Sequence, residues 1–124
     1  MASDVLLLTE LPEAGTELDL RLAAEVLGFA VGHDGKGRAI LMQGDRLPLP
    51  SYSCECEAAF LVVDYLFDLG YAVAIYASKH ADPHMTWACH FAYHSTTHRA
   101  HAPTLPLAIC RCALLAYEGE SRRH

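Results

Sequence analysis

Four of the chain's eight histidines fall within twelve residues, HFAYHSTTHRAH, from His90 to His101. Imidazole is the commonest metal ligand and a frequent general base near neutral pH, so chemistry is sought here first. The spacing His90, His94, His98 would line one face of a helix. The surrounding pattern reads otherwise. Met85, Trp87, Cys89, Phe91 and Tyr93 alternate with Thr86, Ala88, His90, Ala92 and His94, which predicts a strand. On a strand His90 and His94 share a face but stand about 13 Å apart, at roughly 3.3 Å per residue. Both cannot reach one zinc ion at about 2.0–2.1 Å. His98 and His101 are expected in a following loop with Arg99, from which they could fold back to complete a metal site. The simpler expectation is an alanine-rich sheet face decorated with imidazoles. There Tyr76, His90, His94, His98, Arg99 and His101, with Tyr93, form a polar and aromatic recognition surface. That surface calls for no metal and no cofactor.

The other reactive side chains have plainer readings. Cys-x-Cys occurs twice, at Cys54/Cys56 and Cys110/Cys112, and four thiolates would suit a structural zinc. Residues two apart on a helix point about 200° away from each other, so Cys110 and Cys112 cannot close on one ion. Both read as small buried apolar groups. Cys54 falls near an expected helix start, where a thiol pKa is lowered, but Glu55 and Glu57 oppose thiolate formation and no base is marked nearby. The run GHDGKG (32–37) leads into RAILM, an apparent strand, whereas a phosphate-binding loop leads into a helix. Asp64 and Asp68, four apart, read as a solvated helix face. No catalytic constellation emerges, and an enzyme is not expected.

The elements that must position these residues follow from periodicity. Thr16 with Asp19 resembles a capping box, and Leu18, Leu22, Val26 and Phe29 recur at helical spacing up to a stop at Gly28. AVGHDGKGRAILM reads as a hairpin. Pro48 and Pro50 keep the next loop out of helix and central strand. Ser53 is placed to cap a second helix, with Cys56, Phe60, Val63 and Phe67 as its apolar ridge and Gly70 as its end. The strands 71–77 and 85–94 follow. Thr104 then caps a third helix from Leu105, with Pro106 tolerated in its first turn and Arg111 its only charge up to Tyr117. The expected order is α-β-β-α-β-β-α, an α+β sandwich with a mostly antiparallel sheet of about four strands packed by helices. Residues 1–16 are an N-terminal segment, 17–117 a single domain and 118–124 a flexible tail.

The words AAEVLGF (23–29), LPLPSYS (47–53) and PLAICRCALLA (106–116), with a Trp-bearing strand between, resemble the phage ABA sandwich domain family. Phe29 stands where that pattern usually has Trp, Ser51 separates Pro50 from Tyr52, and Cys54 replaces Thr. The resemblance spans roughly residues 17–116 and implies a small phage- or prophage-encoded α/β sandwich. It carries over no catalytic residue.

Composition narrows the function classes. Apolar residues make up 52% and charged residues 19% of the 124, so apolar surface shared with another copy is expected, a dimer being the first guess. Residues 1–68 hold twelve acids against four Lys/Arg, while 69–124 hold three against five and seven of the histidines. No basic stripe for a nucleic-acid backbone is present, and no apolar run approaches the roughly 20 residues that span a bilayer. The start has an acid where a signal peptide needs basic residues, so the host cytoplasm is expected. Five cysteines without such a signal argue for free thiols. The leading expectation is stoichiometric binding of a host protein complex. Such a protein would inhibit an antiviral defence system such as CRISPR through an acidic, aromatic surface. The alternatives are an oligomeric nucleotide-signal binder and a histidine-rich metal-binding protein.

Overall fold

Glycines and prolines set most boundaries in the computed structural model, which describes residues 12–42, 46–79 and 82–121. Helix α1 (Thr16–Arg21) continues into a π-helical turn (Leu22–Val26) and gives way at Gly28. The φ of 74° there is a left-handed geometry that glycine adopts without steric cost. Strands β1 (Val31–His33) and β2 (Ala39–Leu41) form the expected hairpin. A two-residue strand, β3 (Leu47–Pro48), pairs along the edge of β2, where a proline is tolerated. Helix α2 (Cys56–Asp68) is followed by Gly70 at φ 106°. Then come β4 (Ala72–Ala77), a 3-10 turn (Pro83–Met85), β5 (Trp87–Tyr93), β6 (Thr96–Ala102) and helix α3 (Leu105–Ser121).

The six strands among the described residues make two three-stranded antiparallel sheets, β1-β2-β3 and β4-β5-β6, not one sheet of about four. The sandwich class holds, but two strands were not foreseen. One is β3. The other is β6, placed on the stretch expected to be a loop. Its inner positions, Ala100 and Ala102, are buried under α3. Small side chains let the helix sit close, so the strand lacks the bulky residues that mark one in sequence.

Helix α3 is the centre of the core. It lies over β5 and β6, with α2 and the π-helical turn against its sides. Leu107, Ile109, Cys110, Cys112, Ala113, Leu114 and Ala116 are all buried, as expected for a helix apolar nearly all round. Cys89 and Phe91 of β5 meet it from the sheet, and Leu18, Leu22 and Val26 are buried from the N-terminal helix. The helix runs on through Glu118, Gly119 and Glu120, so the expected flexible tail is helical as far as Ser121; residues 122–124 lie outside the described residues.

Three further expectations are corrected. Neither Thr16 nor Ser53 caps a helix with its side chain: the N-cap positions are Gly15 and Glu55, without side-chain bonds. Instead Asp19 is buried and accepts the Ser53 N–H at 2.8 Å, while the Ser53 hydroxyl accepts the Gly15 N–H at 2.9 Å. The two polar groups tie the start of α1 to the loop before α2. The buried ridge of α2 is Ala59, Val62, Val63 and Leu66, whereas Phe60, at 39%, and Phe67, at 65%, are exposed. Small residues permit close approach to α3, and the bulky aromatics stay outside. No described helix is long and apolar enough to cross a membrane.

Candidate functional site

The alternation of β5 sends Ala88, His90 and Ala92 away from α3, and the register supplies their neighbours. Three rows result across the outer face: Ala72–Ala92–Thr97, Ala74–His90–Arg99 and Tyr76–Ala88–His101. None of these nine residues is buried. Tyr76, on the diagonal from His90, places its ring 5.0 Å from the imidazole, within the range of tilted aromatic contacts. Arg99 is directly opposite His90. Burial first, and then the charges of Arg99 and His101, hold the His90 pKa below its ordinary value. His90 is therefore mainly neutral at neutral pH, and Arg99 is the fixed positive charge of the face.

The structure thus brings together Tyr76, His90, Arg99 and His101 of the six expected surface residues. His94 sits in the two-residue turn from β5 to β6, exposed, at φ 56°, with its ring 4.2 Å from Tyr93. His98 points the other way. As a strand residue one step from Thr97 and Arg99 it faces inward against α3, where its ring abuts Gly119. Its carbonyl accepts the Cys112 thiol at 3.1 Å. His98 and His101 therefore lie on opposite faces and cannot converge on one ion, which removes the fold-back arrangement. Among the described residues no group of three or more His, Cys, Asp or Glu could hold a metal ion.

The cysteines separate by depth. Cys54 and Cys56 are exposed; Cys89, Cys110 and Cys112 are buried, and all five are free. Cys54 lies in the turn before α2 with its sulfur 3.8 Å from the Ser53 hydroxyl. Burial pushes the Cys110 thiol pKa up, and Asp19 adds to it. Cys112 is raised chiefly by its bond with Cys89, then by burial. Tyr52, 1% exposed, is raised to about 12, mainly by burial. These are inert protonated groups of the core.

The glycine-rich loop is closed on itself. The Asp34 carboxylate accepts the N–H groups of Lys36 (2.8 Å) and Arg38 (2.9 Å) and the Arg38 side chain (2.8 Å). Those are the donors a phosphate would need. The adjoining shallow hollow, lined by Asp34, Arg38, Ala39, Ile40, Arg46 and Pro48, holds an ion pair instead.

A second surface escaped sequence reasoning. On α2, Phe60 and Phe67 occupy one flank and Leu61 and Tyr65 the other, continued by the C-cap residue Leu69, all exposed, with Glu57, Asp64 and Asp68 between them. The signal was present: more large apolar residues than one helix face can bury.

These features define a small α+β sandwich that displays two dissimilar open surfaces, a basic and aromatic sheet face and an acidic, aromatic helix. The model of the phage ABA sandwich domain matches residues 21–114, and the chain belongs to that family. It is also similar to the 2.0 Å crystal structure of a phage protein from Bacillus cereus ATCC 14579, with 22% identity and a TM-score of 0.70 over 86% of this chain and 92% of that one. At that identity the likeness is one of fold. No curated protein matches the chain.

Proposed function

We propose that this is a phage-encoded accessory protein working in the host cytoplasm by stoichiometric binding. In this reading it inhibits a host antiviral defence complex, as an anti-CRISPR protein does, and catalyses nothing. The observation that carries the reading is α2. Its exposed phenylalanines, leucines and tyrosine around Asp64 and Asp68 are the acidic, aromatic surface that a basic protein channel with apolar walls would accept. Membership of a phage family supports the setting. The test is expression in bacteria carrying defined defence systems, followed by infection with a sensitive phage. Plating is expected to rise for at least one system, and to fall back when Phe67→Ala and Asp64→Lys are combined, since a central aromatic anchor contributes roughly 2 kcal/mol. No rise with any system would overturn the reading.

A second reading, capture of a nucleotide, is favoured by the Tyr76–His90 ring pair beside Arg99, an aromatic surface and a guanidinium of the kind that hold base and phosphate. The face is open, so a bound nucleotide would be enclosed only beneath a second layer. Ultraviolet absorbance near 260 nm carried through purification and released on denaturation would favour it.

A further inference from the structure

Among the described residues, helices cover only one face of β4-β5-β6. On the other, among the described residues, nothing of the chain itself lies over the three rows from Ala72 to His101, and none of their residues is buried. We propose that this face is covered by α2 of a second copy of the chain. This assembly goes beyond the binding role proposed above and does not depend on it.

Three observations select that occupant. The first is charge. The face carries the fixed charge of Arg99, and none of the nine residues in its rows is an acid; the exposed side of α2 carries Glu57, Asp64 and Asp68 and no base. Two sheet faces brought together would oppose Arg99 to Arg99, and two α2 helices would oppose their acids. Helix on sheet is the pairing in which the charges attract. The second is relief. Ala72, Ala74, Ala88 and Ala92 leave a low floor beside Tyr76 and His90, while Phe60, Phe67, Leu61 and Tyr65 stand out from α2 and can fill it. The third is length. Thirteen residues of α2 span about 20 Å, at roughly 1.5 Å each. The seven of β5 span about 23 Å, at roughly 3.3 Å each.

Such a contact joins two different surfaces, so each copy can both give and receive, and copies add head to tail into a ring or an open chain. It also hides α2, so self-association and target capture compete for the same helix.

The test is native mass spectrometry and sedimentation of the purified chain. Wild type is expected to associate at micromolar concentration, more weakly as salt rises. Asp64→Lys with Asp68→Lys in one variant, and Arg99→Glu in another, are each expected to weaken association by roughly tenfold or more. Circular dichroism and unchanged thermal unfolding establish that both remain folded. Mixed one to one, the two variants are expected to associate again, because each reversed surface meets its complement on the other. A monomer at every concentration would overturn the proposal. So would loss of association in only one of the two variants, which marks a symmetric helix–helix or sheet–sheet contact, and so would a mixture that stays monomeric.

Discussion

At the scale of single residues, one glycine inside a helix shows how the inner side of β6 is fitted. Gly119 interrupts the last turns of α3, where alanine would favour the helix by about 1 kcal/mol. A Cβ there would meet the His98 ring at 2.5 Å, closer than any real contact allows. The ring lies between sheet and helix and cannot swing clear as an exposed side chain would. Gly119→Ala is therefore expected to destabilise the fold by about 1–2 kcal/mol, overpacking outweighing the gain in helix propensity. In a His98→Ala background the same change should stabilise by about 1 kcal/mol, because the obstacle is gone. Urea unfolding of the four proteins in this cycle reads the reversal directly. Equal effects of Gly119→Ala in both backgrounds would mean that His98 does not require the glycine. The register of β6 turns His98 inward and His101 outward, and Gly119 leaves the room that the inward ring needs.

Among the elements, the β1–β2 turn depends on a single carboxylate. The Arg38 backbone N–H, above all, and then the Lys36 N–H and the Arg38 side chain hold the Asp34 pKa below its ordinary 3.8. The resulting stabilisation of the turn is fully present above that ordinary value and disappears as pH falls through the lowered, folded-state pKa. The backbone amides of Lys36 and Arg38 should therefore shift together in NMR spectra with a midpoint below 3.8, and Asp34→Asn should abolish the transition. A midpoint at or above the ordinary value would show that the loop is not closed on its aspartate. This turn was legible in sequence as a hairpin and as something other than a phosphate loop, since glycines flanked by short apolar arms have few other uses. The stops at Gly28 and Gly70 and the alternation through Phe91 were legible for the same reason: each is a local steric or periodic requirement. What could not be read locally is what packing decided. Strand β6 carries alanines where a strand usually carries bulk, because α3 sits on it. Asp19 and Ser53 look like caps but hydrogen-bond across 34 residues. Helix α2 has two possible apolar ridges, and only its neighbour selects the small one. The same limit divided the candidate surface: two-residue alternation carried as far as His90, but placing Arg99 and His101 beside it required the register of a strand that sequence did not reveal.

For the whole molecule, the question is whether the sheet, the central helix and the N-terminal segment open as one unit. Arg111 argues that they do. Its guanidinium, nearly buried, donates to the carbonyls of Pro12 (2.9 Å) and His101 (3.0 Å) and faces Glu13 at 3.5 Å, joining α3, β6 and the chain before α1. Burial lowers its pKa only in part, because Glu13 opposes the shift, and the group remains charged. The thiols report on the same unit. Cys89 lies on the inner face of β5 against Cys112 of α3, and Cys110 is on the other side of α3, towards Asp19 and Tyr52. A reagent therefore reaches all three only when the helix parts from both the sheet and the N-terminal elements. Cys54 and Cys56 need no such opening. Thiol labelling followed by mass spectrometry is expected to give two adducts within the dead time and three more slowly. Those three should share one rate that rises with denaturant as global unfolding does. Replacing Arg111 by Ala strands two carbonyls and removes the tie. It should speed the slow phase for all three thiols alike, by roughly a hundredfold for a loss of about 3 kcal/mol. If Cys89 and Cys112 instead reacted at different rates, β5 and α3 would be opening separately, and the surface carried by the sheet could then move independently of the helices behind it.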